Sequence, residues 1–200
     1  MKSKVYFTKE LSPEAVVKAY NALGITLPGK VAVKIHTGEQ GNQNYMPPEF
    51  WKPMIDAIGG TVCETNTAYG DASAGVTNDR FECWEKHADK TAFPEAMADA
   101  ASSIYRHFEG KIAFVNVMKN LSVDCDCCAV AEDPCMADIG ILASLDPVAI
   151  DQACIDLVMG SDDPGKEHFM GRVNSRNGIH TIEAAAELGF GTREYELIEL

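Results

Sequence analysis

The chain has 200 residues, 46% of them hydrophobic, so it can bury one sizeable core and is most simply a single domain spanning residues 1–200. Its formal net charge of −13 argues against non-specific binding to nucleic acid or anionic lipid, because no basic surface is available to neutralise phosphates. No segment is long and apolar enough to span a bilayer, which argues against an integral membrane protein.

The first eight residues run directly into a strand-like pattern and contain no signal-peptide core. We therefore expect a cytoplasmic protein. Thiols stay reduced in that compartment, so the seven cysteines are better read as metal ligands or reactive groups than as disulfides.

Strand-like and helical segments alternate along most of the chain. Helix starts carry capping residues, such as Ser12 before Pro13 and Asp146 before Pro147, and glycines such as Gly24 mark helix ends. Strands are predicted at residues 5–8, 30–35, 61–65, 111–118, 139–144 and 195–198. Helices are predicted at residues 13–23, 47–58, 93–109, 147–159 and 179–188, with a long loop at about residues 68–92 and a polar loop at residues 161–177.

This alternation predicts an α/β fold, a three-layer sandwich with a mostly parallel sheet and an edge strand at residues 195–198. Ligands in such sheets bind outside the carboxyl ends of the strands. The predicted rim therefore carries His36 and Glu39 after the second strand, Asn66 after the third, and the segments 119–120 and 144–146 after later strands. The chain has no glycine-rich nucleotide fingerprint and no nucleophile elbow that would indicate a more specific site.

His36 and Glu39 form a histidine–carboxylate pair that suits a metal site or an acid–base couple. The alternative is an ordinary hydrogen-bonded histidine at the rim. Asp151 falls within the apolar stripe of the helix after Pro147, where a carboxylate needs a partner. Asp151 either anchors a ligand-site loop or a cation, as a cofactor-binding residue would, or accepts hydrogen bonds from the backbone amides of a neighbouring turn.

Four cysteines lie within eleven residues, with the spacing Cys-x-Cys-Cys, six residues, Cys. Thiolates bind zinc and iron–sulfur clusters because they are soft and anionic. The aspartates among them raise thiol pKa values unless a cation is bound, which favours a metal. The candidate ligands are Cys125, Cys127, Cys128 and Cys135, and the alternative is a set of partly buried structural cysteines.

Several blocks of the sequence together resemble one family. They are VAVKIHTGE at residues 31–39, ETNT at 64–67, DCDCC at 124–128, DIGILASLDPVAID at 138–151 and LGFGTREYELI at 188–198. The chain looks like the uncharacterised iron–sulfur-centre proteins of the domain of unknown function 362 family, over most of its length outside residues 68–93. That family usually carries an inserted ferredoxin-like segment with two cysteine-rich runs, which would fall in residues 68–93, where this chain has only Cys83.

The resemblance implies an iron–sulfur context but transfers no reaction. We expect either a cytosolic metal or iron–sulfur protein of redox type, holding a 4Fe–4S cluster or zinc and working with a ferredoxin-like or other redox partner, or a domain without metal. In the second case the chain binds a small molecule or assembles with a partner protein.

Overall fold

The computed structural model describes residues 2–35, 41–63, 89–125 and 128–200. Within these residues the strands are β1 (Ser3–Thr8), β2 (Ala32–Lys34), β3 (Thr61–Cys63), β4 (Phe114–Met118), β5 (Gly140–Ser144) and β6 (Tyr195–Glu199). The helices are α1 (Pro13–Ala22), α2 (Pro48–Ile58), α3 (Ala92–His107), α4 (Pro147–Gly160), α5 (Lys166–Ser175) and α6 (Ile179–Glu187). The predicted α/β class is confirmed.

Helix starts follow the predicted capping chemistry. Ser12 Oγ accepts a hydrogen bond from the Ala15 amide at 3.1 Å, and Pro13 occupies the first turn of α1. Asp146 Oδ1 caps α4 by accepting from the amides of Val148 and Ala149 at 2.9 and 3.0 Å. These contacts satisfy amides that have no partner within the helix itself.

The main sheet has four strands in the order β4-β5-β1-β6. β5 runs antiparallel to both β4 and β1, and β1 runs parallel to β6. The predicted mostly parallel sheet is therefore wrong, because two of its three strand pairs are antiparallel. The prediction of an edge strand near the C-terminus is confirmed, since β6 occupies one edge of this sheet.

The strands described do not form one sheet. β2 and β3 make a separate two-stranded parallel ladder, with Val33 opposite Val62. The three-layer sandwich around one mostly parallel sheet is thus wrong in the form predicted. Gly60 directly precedes β3, and an added Cβ there would lie 2.6 Å from Val33 Cγ2, so a larger residue would force the Val33 side chain to shift.

β5 is the centre of the core, with all five of its residues buried. Leu142 packs with Val5, Phe7 and α4 residues in one apolar cluster, whereas Ile141 and Ala143 pack with α1 and α2 residues in another. This alternation matches the two-residue period of a strand that is buried on both faces. Such burial explains why the sequence from Ile139 to Ser144 is a continuous apolar run.

The predicted polar loop at residues 161–177 is also wrong, since it contains α5. No residue of this helix is fully buried, although Phe169 and Met170 pack against the apolar cluster of Leu142. These few apolar residues lie within a stretch dominated by polar residues and glycine, which is why the segment was predicted as a loop. Among the described residues, no helix is long and apolar enough to cross a membrane.

Candidate functional site

Two segments of the predicted rim, 119–120 and 144–146, lie at opposite ends of the main sheet. Met118 at the end of β4 pairs with Gly140, and Thr8 at the end of β1 pairs with Ile141. At the other end, Ser144 lies opposite Val5 and Phe114. The cysteine loop, residues 119–139, therefore leaves the end opposite to Asp146, because antiparallel pairing reverses β5.

The cysteine loop is attached to the sheet at both of its ends. Asp138 accepts from Lys119 Nζ at 2.7 Å and from the amide of Asn120 at 2.9 Å, and the Ile139 amide donates to the Met118 carbonyl at 2.9 Å. Asn120 has a φ of 54°, a left-handed conformation that asparagine tolerates better than most residues. The loop thus turns sharply as soon as it leaves β4.

One turn of this loop joins two of the candidate ligands. The amide of Cys128 donates to the carbonyl of Cys125 at 3.0 Å, the bond that closes a four-residue β-turn. Cys125 is exposed and Cys128 is half-buried. Cys125 and Cys128 thus form a Cys-x-x-Cys pair, a spacing common in zinc sites and redox sites. The sequence argument missed this pair because it grouped the cysteines as Cys-x-Cys-Cys.

α5 contacts the cysteine loop through a charged network, which we call the Arg172 network: Arg172, Asp124, Glu132 and His168. Arg172 Nη1 donates to Asp124 Oδ1 at 2.9 Å, and Arg172 Nη2 lies 4.0 Å from Glu132 Oε1. His168 Nε2 lies 2.9 Å from Glu132 Oε2. The hydrogen bond from the Glu132 amide, followed by that from Arg172, lowers the pKa of Asp124. Asp124 therefore stays ionised near neutral pH.

A second attachment joins the cysteine loop near Cys135 to the segment before α5. Asp163 accepts from the amides of Ala137 and Gly165 at 2.9 and 2.7 Å, and these bonds lower the pKa of Asp163. A Cβ placed on Gly165 would overlap the carbonyl oxygen of Cys135. The segment before α5 therefore packs tightly against the backbone of the cysteine loop.

Cys135 itself combines features of a ligand and of a core residue. Its amide donates to the Leu121 carbonyl at 2.8 Å, and the residue packs against the apolar cluster that contains Leu142. Burial raises the pKa of Cys135, and the negative charges of Glu132 and Asp163 raise it further. A bound cation would favour the thiolate form of Cys135.

The loop after β2 also reaches the cysteine loop. Asn44, which is 9% exposed, donates from Nδ2 to the Glu132 carbonyl at 2.9 Å. The side chain of Asn120 donates to the Asn44 carbonyl at 3.5 Å. The segment that follows His36 and Glu39 in sequence thus approaches the cysteine loop. His36, Glu39, Asn66, Cys83 and Cys127 themselves lie outside the described residues.

Asp151 lies apart from the cysteine loop, on α4. Its Oδ1 accepts from Asn116 Nδ2 at 2.9 Å, and the same amide lies 3.4 Å from Cys154 Sγ. The partner is thus a side chain of β4 rather than the backbone amides of a turn. The residue as a whole is exposed, although protein atoms crowd its carboxyl group, and this desolvation raises the pKa of Asp151. Since water reaches the carboxylate, we expect a smaller rise than for an enclosed carboxyl group. Burial raises the pKa of the Cys154 thiol to about 12.

Among the described residues, no three histidine, cysteine, aspartate or glutamate side chains are grouped so as to hold a metal ion. The structure joins Cys125 to Cys128 by a turn and places Cys135 against the core. In donor chemistry, Cys125, Cys128 and Cys135 each carry a sulfur that would bind a metal as the thiolate, with the proton released to solvent.

Three residues that shape this site were missed by the sequence argument: Arg172, His168 and Asn44. Arg172 and His168 are four residues apart and so share one face of α5, a signal that is visible only once residues 166–175 are recognised as a helix. Asn44 lies in a polar loop and gives no sequence signal of its own. Their roles depend on contacts between residues 36 to 88 positions apart in the chain.

Residues 73–156 match the model of a family described as a domain of unknown function, DUF362. The matched segment contains β4, the cysteine loop, β5 and most of α4. It also runs through most of residues 68–93, the stretch that the resemblance was expected to leave out. No curated protein and no solved structure matches the chain.

Proposed function

We propose that the cysteine loop binds a metal, either a zinc ion or an iron–sulfur cluster of the 4Fe–4S type, with ligands drawn from Cys125, Cys127, Cys128 and Cys135. The observation that carries this proposal is the turn in which the Cys128 amide bonds to the Cys125 carbonyl at 3.0 Å. This bond places the two cysteines at the ends of one turn, with the sequence spacing of metal-binding Cys-x-x-Cys pairs.

The surroundings of the turn are consistent with a bound cation. Asp124 precedes Cys125, Glu132 lies in the same loop, and the net charge of the chain is −13. A metal ion would offset this negative charge and favour the thiolate form of the ligands. An iron–sulfur cluster would supply one-electron transfer, and zinc would supply structural cross-linking or Lewis-acid chemistry.

We also propose a cytoplasmic location and, for an iron–sulfur cluster, a redox partner. In the cytoplasm the thiols would remain reduced and available to a metal. If the group is an iron–sulfur cluster, an electron carrier such as a ferredoxin-like protein is the partner we expect. The family match carries no reaction, so the proposal stops at metal binding of redox type.

The test is metal content after purification without oxygen. We expect stoichiometric zinc, or iron with acid-labile sulfide and visible absorption, and we expect the double variant Cys125→Ser/Cys128→Ser to lose it. Cys63→Ser is the matched control, because Cys63 is an exposed thiol on β3, outside the cysteine loop. A wild-type protein that takes up neither zinc nor iron would contradict the proposal.

One observation favours the alternative, a domain that binds a small molecule or a partner protein without metal. Cys135 packs against the core cluster as a small apolar side chain would. In that case, serine at positions 125, 127 and 128 should leave the denaturation midpoint and metal content unchanged. Loss of stability on removing metal from the wild type would exclude this alternative.

A further inference from the structure

We infer that Arg172 is a positioning residue that closes the base of the cysteine loop, so that the Cys125–Cys128 turn is held in place by the protein alone. The inference rests on the proposed function for its purpose, which is to present a preformed pair of ligands. Its geometry rests on contacts within the chain. Many small metal sites form only when the metal folds them, and this loop would differ from them.

The two ends of the segment from residue 123 to residue 132 are joined by one carboxylate and one guanidinium. Asp124 Oδ2 accepts from the Glu132 amide at 2.9 Å, while Asp124 Oδ1 accepts from Arg172 Nη1 at 2.9 Å. Arg172 Nη1 also donates to the Val123 carbonyl at 3.2 Å. The residues between these ends include Cys125, Cys127 and Cys128. The carboxylate therefore closes a short loop that carries three of the four candidate ligands.

Neighbouring bonds make this closure more than a surface ion pair. Ser122 Oγ donates to the Glu132 carbonyl at 2.8 Å, and Asn44 Nδ2 donates to the same carbonyl at 2.9 Å. The Arg172 and Asp124 side chains are 39% and 26% exposed, so an isolated pair between them would contribute little to stability. Here each bond restricts the same few backbone atoms, and the effect falls on the shape of the loop rather than on the stability of the whole chain.

The geometry needs an arginine on a helix. A guanidinium can donate to a carboxylate and a carbonyl at once because its donors are fixed in a plane, whereas an ammonium group acts as a single charge on a flexible stem. Arg172 lies in the last turn of α5, where the helix dipole favours a positive charge. α5 thus serves as a rigid support from which the loop is held.

Removal of Arg172 should affect the thiols of Cys125 and Cys128. If Arg172 is removed, Asp124 and Val123 lose their anchor on α5, and the turn gains freedom to open. A ligand pair that must be ordered on binding holds a metal more weakly than a preformed pair. Residues that orient metal ligands without touching the metal typically change metal affinity by about 10- to 100-fold when replaced.

The first test uses reduced, metal-free protein and measures the rate at which iodoacetamide alkylates each cysteine, by mass spectrometry. We expect Arg172→Gln to alkylate at Cys125 and Cys128 about fivefold or more faster than wild type, because the turn opens more often. Arg176→Gln is the matched control, since Arg176 is an exposed arginine at the end of the same helix. Cys63 is the internal control within each protein.

The alkylation rates distinguish a loosened Cys125–Cys128 turn from the mere loss of the positive charge of Arg172. Loss of a nearby positive charge alone would raise the thiol pKa values and slow alkylation, whereas a loosened turn speeds it. Arg172→Lys, which keeps the charge but not the fork of donors, should give an intermediate rate. Equal or slower alkylation in folded Arg172→Gln than in wild type would overturn the inference. If Arg172→Gln does not fold, Asp124→Asn removes the same anchor from the loop side and is judged by the same rates.

The second test titrates Co²⁺ into the same proteins and follows thiolate-to-cobalt absorption. We expect about tenfold weaker binding by Arg172→Gln and unchanged binding by Arg176→Gln. A wild type that fails to bind Co²⁺ would count against the proposed function, while the alkylation rates would still decide the role of Arg172. Equal Co²⁺ affinities for wild type and Arg172→Gln would overturn the inference about Arg172 and leave the proposed function standing.

Discussion

The two ends of the main sheet are built on different physical principles. At one end, a single half-buried carboxylate, Asp146, accepts four hydrogen bonds: from the amides of Val148, Ala149 and Thr192, and from Ser3 Oγ. We call this group the Asp146 junction. At the other end, the cysteine loop is held by several charged side chains that are partly exposed, including Arg172 and Glu132.

This difference indicates that the two ends respond differently to substitution. The Asp146 junction fixes β1, α4 and the segment before β6 to one another with bonds between neighbouring backbone and side-chain groups. The cysteine loop is fixed in shape, but its thiols Cys125 and Cys128 remain exposed or half-buried. We therefore expect substitutions at the first end to change the free energy of unfolding and substitutions at the second to change thiol and metal properties.

The largest effect should come from Asp146→Ala. The variant loses the cap of α4 and leaves Ser3 Oγ and the Thr192 amide without their acceptor, so we expect the free energy of unfolding to fall by about 2–4 kcal/mol. Asp146→Asn keeps one acceptor oxygen and should lose about half as much. Urea denaturation followed by circular dichroism measures both.

Asp162→Ala is the control for that comparison, because Asp162 is an exposed aspartate just after α4. It should change the free energy of unfolding by less than about 0.5 kcal/mol. A loss below 1 kcal/mol in Asp146→Ala would show that the junction does not organise this end of the sheet.

Gly165→Ala tests the tight contact between the segment before α5 and the cysteine loop. An added Cβ would overlap the Cys135 carbonyl oxygen, so the two backbones must move apart, and we expect a loss of about 1–3 kcal/mol together with faster alkylation of Cys135. Gly171→Ala is the matched control on α5, where nothing lies within 4 Å of the added atom. That variant should be neutral or more stable by up to about 1 kcal/mol, since alanine favours helix. A Gly165→Ala protein as stable as Gly171→Ala would contradict the contact.

A pH effect should arise between α3 and α6, away from both ends. His180 lies 3.1 Å from Glu95 and 3.3 Å from Glu183, which also pairs with Arg193, and these hydrogen bonds raise the pKa of His180. A raised pKa means that the protonated histidine stabilises the folded state. That contribution is full below the ordinary value of 6.5 and is lost as pH rises through the raised pKa.

The measurement is the difference in urea midpoint between wild type and His180→Gln, taken at about pH 5.5 and about pH 8.5. We expect wild type to be the more stable protein at the lower pH and the difference to shrink at the higher pH. His107→Gln, at the exposed end of α3, is the control. A difference that grows with pH would show that the two glutamates do not favour the protonated ring.

The smallest effect is expected for Asp151→Asn. The amide keeps an acceptor for Asn116 Nδ2 and removes a charge whose desolvation raises the pKa of Asp151. Because a raised carboxyl pKa makes the ionised form unfavourable in the folded state, the variant should be equal to or slightly more stable than wild type at about pH 8, by less than about 0.5 kcal/mol. Loss of more than about 1 kcal/mol would mean that the ionised carboxylate holds α4 against β4.

Local signals in the sequence predicted most of the elements but not their arrangement. Ser12 and Asp146 cap their helices as expected, since a capping bond needs only residues that are near in the chain. The direction of β5 could not be read in this way. Its pairing with β1 places Val5 opposite Ser144. No local signal in the sequence distinguishes a strand in a parallel pair from a strand in an antiparallel pair.

The candidate site likewise contains residues that local sequence predicted and residues that it did not. The cysteine loop was singled out because its candidate ligands are close in sequence, whereas the Arg172 network joins residues far apart and involves a helix with few apolar residues. A short helix with so few apolar residues gives only a weak hydrophobic period. The expectation that segments 119–120 and 144–146 share one rim is wrong, because the reversal of β5 sends them to opposite ends of the main sheet.

The strand order β4-β5-β1-β6 has a consequence for how the chain acquires its structure. β5 pairs with β1 and with β4, both of which precede it in the chain. β1 also pairs with β6, with Ser3 opposite Tyr195, so this pair joins residues that are far apart in sequence. Pairings between such distant residues are slow to form, because a long loop must close before any contact stabilises it. During synthesis on the ribosome, the main sheet can be completed only after β6 has emerged, so we expect its four strands to assemble late.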